Sequence, residues 1–309
     1  MKKEASTEER VWAVLSHISA LALGMGLFLP IIGWSEQRRK SNYASFQCLQ
    51  ALGYQSLGYT IWLLTILIVV IIVSIGSVAS LVNADISEES IMGLVFAHMA
   101  LMFGLIGVYF VLPVVAAIAC ALGRDFRYPL LGNRLARYLG YESFQGGDEH
   151  GWLIEDHEDR WVTSMGHFSV IIALWGMVPP LAAWILQGKR SPFLKFQSIQ
   201  TLVFQASTIL LYIIAGCVYM FGFFALLITT GFGQAVSFEE PGGMIGFVIL
   251  LVSSLIAIVI VLIVPLFHIV GQWAGYRVLK GDNYRYPIVG RLVEKQLVKN
   301  AISVEEKPV

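Results

Sequence analysis

The chain has 309 residues, of which 57% are apolar and only 14% charged, against ~25% charged in a soluble domain. Too little polar sequence is present to cover such apolar helices in a water-soluble fold. A formal net charge of zero leaves no electrostatic footprint for nucleic acid. The composition points to an integral membrane protein whose partner is the lipid bilayer, with no nucleic acid bound.

Residues 1–10 read as a cytoplasmic tail. Met1-Lys2-Lys3 ahead of an apolar run imitates a signal peptide, but Glu4, Glu8 and Glu9 dilute the positive region and no small-x-small cleavage site follows. The run Val11–Trp34 is short and broken by Gly24-Met25-Gly26 and Pro30, residues that interrupt a helix. Two long runs follow, Leu57–Val82 and Ile91–Leu122, each above the ~20 residues that cross a hydrocarbon core. They are continuous rather than alternating, so they read as helices and not barrel strands. The motif Arg127-Tyr128-Pro129-Leu130-Leu131-Gly132 then opens a short amphipathic stretch. Leu131, Leu135, Tyr138 and Leu139 form its apolar stripe, beside Arg134 and Arg137. This is the pattern of a helix lying in the headgroup layer.

An acidic segment, Tyr141–Asp159, divides the chain and reads as a solvated cytoplasmic linker, with residues 141–158 as its bounds. The same order of elements then recurs. The broken run is Trp161–Leu186, with Gly176 and Pro179-Pro180, and the long runs are Thr201–Thr230 and Met244–Leu279. Arg285-Tyr286-Pro287-Ile288-Val289-Gly290 opens the second amphipathic stretch, with Leu292, Val293, Gln296 and Leu297 on its stripe. Shifted by 150 residues, His17 meets His167, Pro30 meets Pro180 and Trp34 meets Trp184. Gln47, Gln50 and Gln55 likewise meet Gln197, Gln200 and Gln205. Apolar helices share Leu and Val by chance; they do not share His, Pro, Trp and three Gln. The chain therefore reads as two tandem membrane repeats, residues 11–140 and 159–298, with a cytoplasmic tail at 299–309.

Each broken run either crosses the membrane once, kinked, or enters and returns as a re-entrant hairpin. In the hairpin case all 21 Lys and Arg lie on one side. The two loops left outside, Asn83–Ser90 and Gly231–Gly243, carry Asp85, Glu88, Glu89, Glu239 and Glu240 and no cation. A one-sided cation count favours the hairpin. The expected fold is an all-α integral membrane protein of two repeats. Each repeat holds a re-entrant hairpin, two long transmembrane helices and an interfacial amphipathic helix, and both termini are cytoplasmic.

His17, Gln47, Gln50 and Gln55, with His167, Gln197, Gln200 and Gln205, form the candidate polar intramembrane cluster. A His or Gln in a membrane faces the bundle interior, where it bonds to a neighbouring helix or lines a polar path. Their joint recurrence predicts that His and Gln face each other within each copy. His150 and His157 fit no standard metal spacing, and Cys48, Cys120 and Cys217 form no ligand pair. Trp12, Trp34, Trp161, Trp184 and Trp273 suit interfacial belts. No nucleophile elbow, phosphate loop or zinc motif is present. The expectation is a protein without catalytic, cofactor or metal residues. It is either a transport-related component or a scaffold that binds another membrane protein.

Certain motifs resemble a known family. They are Ser16-His17-x-Ser19 and Gly166-His167-x-Ser169, then Arg190-Ser191-Pro192-Phe193 leading to Phe196-Gln197 and Gln200, then Tyr-Arg-Tyr-Pro. Together they resemble the bacterial Tic-twenty-like domain-of-unknown-function family, distantly similar to the chloroplast inner-envelope protein-import component. The first copy departs at Ser41-Asn42-Tyr43, which lacks the proline, and at Arg124-Asp125-Phe126. The resemblance implies a bacterial inner-membrane protein; the chloroplast relative is associated with protein translocation, while the bacterial family brings no established activity and no catalytic residues.

Overall fold

A computed structural model of the chain describes residues 5–83, 88–141, 152–231 and 240–305. Among them every regular element is helical. The first repeat contains α1 (Thr7–Ile18), a 3-10 segment (Ser19–Leu27), α2 (Phe28–Gln37), α3 (Asn42–Asn83), α4 (Glu88–Ala121) and α5 (Leu131–Leu139). The second contains α6 (Glu155–Phe168), a 3-10 segment (Ser169–Met177), α7 (Val178–Gln187), α8 (Pro192–Thr230), α9 (Pro241–Leu279) and α10 (Val289–Glu305). Among the described residues six helical segments are long and apolar enough to cross a membrane: Thr7–Gln37, Asn42–Val78, Val95–Ala121, Glu155–Gln187, Pro192–Thr230 and Pro241–Leu279.

Local chemistry sets the helix starts. Ser6 and Glu9 form a reciprocal capping box at α1. Ser191 caps α8 through its hydroxyl, which accepts from the Leu194 N–H at 3.1 Å, and Pro192 takes the first helical position. Ser41 accepts from the Ala44 N–H at 3.1 Å in the matching place.

The broken runs fold back on themselves. Gln37 Nε2 donates to Glu8 Oε1 at 2.9 Å, Gly33 lies against Trp12 and Ser16, and Gly26 lies against the carbonyl of Ser19. In the second copy Gly176 meets Ser169 and Gly166 meets Pro180 in the same way. A β-carbon on Gly26 or Gly176 would stand 1.9 or 2.1 Å from the opposing serine carbonyl oxygen, so only glycine lets the arms close. The reversal is made at Leu23 (φ 52°, ψ −138°) and at Ala173 (φ 46°, ψ −127°), 150 residues apart.

The long helices outrun the bilayer. The 42 residues of α3 extend ~63 Å at 1.5 Å per residue, about twice a ~30 Å hydrocarbon core. Its first four turns are largely buried beside the hairpin, whereas from Ile61 onward its apolar side chains are largely exposed. Each copy therefore has a packed polar layer at one end and apolar helices projecting from it.

Three expectations change. The stripe of α5 does not face lipid: Leu135 and Leu139 are buried in a core cluster with Phe46 and Trp161. Periodicity shows that a face is covered, not whether lipid or protein covers it. The acidic segment is not solvated throughout, because Glu155–Asp159 opens α6 and Glu158 and Asp159 are buried against Arg38. Residues 142–151 lie outside the described residues, as do Asp85 and Glu239. Trp34 and Trp161 belong to no interfacial belt, since both are buried in the core between the copies. On α10, Val293 is buried while Leu292 and, just ahead of the helix, Ile288 are exposed, so its stripe is only half covered by protein.

Candidate functional site: two equivalent polar networks

His17 sits in the last turn of α1 and is buried. Its Nε2 lies 3.0 Å from Gln47 Oε1 and its Nδ1 3.0 Å from the Tyr128 hydroxyl. The neighbours settle the tautomer. Gln47 Nε2 donates to Asp125 Oδ1 and to the Phe126 carbonyl, both at 3.0 Å, which fixes its Oε1 as the acceptor towards His17. His17 therefore carries its proton on Nε2, and Tyr128 donates to Nδ1. Gln50 Nε2 donates to Gln47 Oε1 at 3.2 Å and to Phe126 O at 3.1 Å, while its Oε1 accepts the Tyr128 N–H at 2.9 Å.

The second copy repeats this arrangement. His167 Nε2 is 3.0 Å from Gln197 Oε1 and its Nδ1 is 2.9 Å from the Tyr286 hydroxyl. Gln197 Nε2 donates to Asn283 Oδ1 at 2.7 Å and to Tyr284 O at 3.1 Å. Gln200 Nε2 donates to Gln197 Oε1 at 2.6 Å and to Tyr284 O at 2.8 Å. Asn283 replaces Asp125, so the pattern survives the loss of a charge. Burial holds the Tyr128 and Tyr286 hydroxyls well above the usual phenol range, which keeps both as proton donors.

Gln55 and Gln205 stand apart from these triads. Gln55 Nε2 donates to Ser16 O and Ser19 Oγ, both at 3.1 Å, and Gln205 Nε2 donates to Gly166 O at 3.0 Å. They tie α3 and α8 to the hairpins, and each keeps a buried Oε1 with no hydrogen-bond partner among the described residues. Among the described residues, the hydrogen bonds of these eight side chains stay within their own copy. A groove of about 510 Å³ between α8 and α9 is lined by Cys217, Val218, Phe221, Val248, Ile249, Val252, Ser253 and Ile256, none of them from the networks.

Sequence reading missed the partners that complete each triad. Tyr128 and Tyr286 belong to the repeated Arg-Tyr-Pro motif, which was visible but read only as the start of an amphipathic helix. It also missed Arg38, which lies 2.9 Å from Asp159, 3.2 Å from Glu158 and 3.3 Å from Glu155, and 4.8 Å over the Trp34 ring. His157 stacks on Tyr138, His150 lies outside the described residues, and His98 and His268 are half-buried on α4 and α9.

Helical hairpins repeated with their polar networks, each followed by two long apolar helices, define a two-repeat, multi-pass membrane protein. The chain belongs to the MamF/MmsF family, described as the magnetosome magnetite crystal formation protein family, whose model matches residues 8–135 and again residues 158–293. No comparison shows the expected likeness to the chloroplast import component. No curated protein and no solved structure matches the chain.

Proposed function

We propose that this chain is a non-catalytic membrane scaffold, set in a bacterial inner membrane or in a membrane of the magnetosome that its family description names, and that it serves magnetite crystal formation there. The observation that carries this reading is the use of the polar side chains. Both nitrogens of His17 and His167, and every amide atom of Gln47, Gln50, Gln197 and Gln200, are engaged in bonds within one copy. Groups so engaged hold helices together and have no capacity left for a passing solute. A translocation role would need an open polar path, and within these clusters only the free carbonyls of Gln55 and Gln205 are left to line one.

The hairpins enter from the cationic side and return, so both termini and all 21 Lys and Arg share one compartment. Two features support this. The arms lie back to back, and Gln47 and Gln50 precede the apolar run from Leu57 by ten and seven residues, ~10–15 Å along the helix. That spacing sets the networks near the cationic membrane face, where their polar atoms are cheaper to keep.

Purified protein in liposomes tests the scaffold reading: proton and divalent-cation permeability should match protein-free vesicles, and a protein-dependent flux would sink it. Cysteine accessibility at Thr7 and Arg39, in a chain freed of its native cysteines, tests the topology. Labelling of the two positions from opposite compartments would rule out the hairpin.

A further inference from the structure

The contact between the two copies is one-sided. The second copy contributes α6, α7 and its 3-10 segment, and the first contributes α2, α3, α5 and its 3-10 segment; α2 on α7 and the two 3-10 segments pair like with like, but α6 packs on α3 whereas its mate, α1 on α8, is not made. Trp161 on α6 presses on Gly53 of α3 and donates its indole N–H to Leu49 O at 2.9 Å. Trp34 on α2 donates to Glu158 Oε1 at 3.0 Å, and Arg38 meets Glu158 and Asp159. A two-fold related pair would show every contact between unlike elements twice. Here the matching surfaces, α1 of the first copy and α7 with α8 of the second, carry the same positions uncovered.

The exposures make this plain. On α6 and α7, Trp161, Met165 and Val178 are at most 6% exposed; their first-copy counterparts Val11, Leu15 and Phe28 are at least 37% exposed. On α2, Ile31 and Trp34 are fully buried; their second-copy counterparts Leu181 and Trp184 are 36% and 38% exposed. A contact that joins different faces of like units leaves one half-site open at each end and is completed by another unit of the same kind.

We propose that a second copy of this chain covers these open faces, α1 of one chain packing on α7 and α8 of the next, head to tail. The surfaces are suited to each other. At the internal contact a large knob enters a glycine hole, Trp161 into Gly53; at the open faces the same two positions are Val11 and Val203, two mid-sized side chains that meet without either. Glu8 and Glu9 stand where Glu158 and Asp159 do, while Lys189 and Arg190 stand where Arg39 and Lys40 do. The signs of the two faces are kept, acid on α1 and base after α7, although neither internal ion pair is copied, since Gly188 stands for Arg38 and Ala5 for Glu155. Gly188 replaces Arg38, so the contact between chains lacks the buried guanidinium and is weaker and more salt-sensitive than the internal one. The scaffold reading requires no self-association, so this inference stands or falls separately from it.

The test uses full-length chains with Cys48, Cys120 and Cys217 changed to Ala. One chain carries Val11→Cys and one epitope tag, and the other carries Val203→Cys and a second tag. Both are co-expressed and oxidised mildly in native membranes. The expected result is a reducible species of twice the chain mass bearing both tags, formed several-fold more than from either variant alone. Glu8→Lys should reduce it, and Lys189→Glu in the partner should restore it. An intrachain control, Asn42→Cys with Leu153→Cys, reports that linking works at this interface, since the Leu153 N–H lies 3.4 Å from Asn42 Oδ1. Absence of the mixed species while the control pair closes overturns the proposal and leaves lipid as the cover of both faces.

Discussion

Trp161 lies so close to Gly53 that a β-carbon on residue 53 would stand 2.4 Å from its Cζ2 atom. The glycine is thus a requirement of the contact between copies and not of the helix, whose propensity glycine weakens. Gly53→Val, the residue the second copy has at this position, should overpack the interface and lower stability by about 1–3 kcal/mol, less the small helical gain. Thermal unfolding of the detergent-solubilised chain, followed by tryptophan emission, measures it. An unchanged midpoint and an unchanged spectrum would mean that Trp161 is seated elsewhere.

Arg38 is the cation in direct contact with two buried carboxylates, Glu158 and Asp159. Arg38→Met keeps the bulk and removes the charge, leaving both acids buried and uncompensated, a loss on the order of 3–5 kcal/mol. Arg39→Met, at a residue whose ion pair with Glu155 is open to solvent, should cost about 0–1 kcal/mol. Adding Glu158→Gln and Asp159→Asn to Arg38→Met should recover much of the stability, because the buried charge is then gone from both sides. Equal losses from Arg38→Met and Arg39→Met would contradict the buried cluster.

These two contacts also show where sequence reading reaches its limit. The repeat, the glycine and proline breaks, and the His and Gln positions were legible because each is a local pattern written twice. Arg38 with Glu158 is different: the residues are 120 positions apart, and Gly188 and Glu8 occupy the equivalent positions, so the repeat itself conceals the pair. The acidic segment looked solvated because its partner is not in it. The stripe of α5 was legible as a stripe, but a period of 3.6 residues is the same whether the face meets lipid or, as Leu135 and Leu139 do, the side chains of Phe46 and Trp161. Tyr128 escaped because a tyrosine between arginine and proline carries no sign that its hydroxyl reaches a histidine 111 residues earlier.

The histidine networks allow a measurement with its own replicate. His17→Ala and Gln47→Ala each remove one side of a buried hydrogen bond and leave the other unpaired, at about 1–3 kcal/mol apiece. The double variant should lose less than the sum, with a coupling of about 0.5–3 kcal/mol. His167→Ala with Gln197→Ala should give a coupling of the same sign, since the geometry is repeated at 3.0 Å. Additive losses in both copies would show that these pairs do not touch.

Leu23 and Ala173 make the same reversal with the same backbone, at φ 52° and 46° and ψ near the opposite extreme. That region suits glycine, and a side chain held there costs of order 1–3 kcal/mol. Gly24, one residue beyond Leu23, does not relieve it, because the positive angle belongs to Leu23 and the close approach of Trp175 already occupies the space beside Gly24. Leu23→Gly and Ala173→Gly should therefore raise the stability, by about 1 kcal/mol each once the extra entropy of an unfolded glycine is set against the relieved strain, and with it the unfolding midpoint. The paired design separates strain from packing: Leu23 is an exposed apolar side chain and Ala173 is nearly nothing, so a gain at both positions belongs to the backbone. A gain at neither would mean that the hairpins turn without strain.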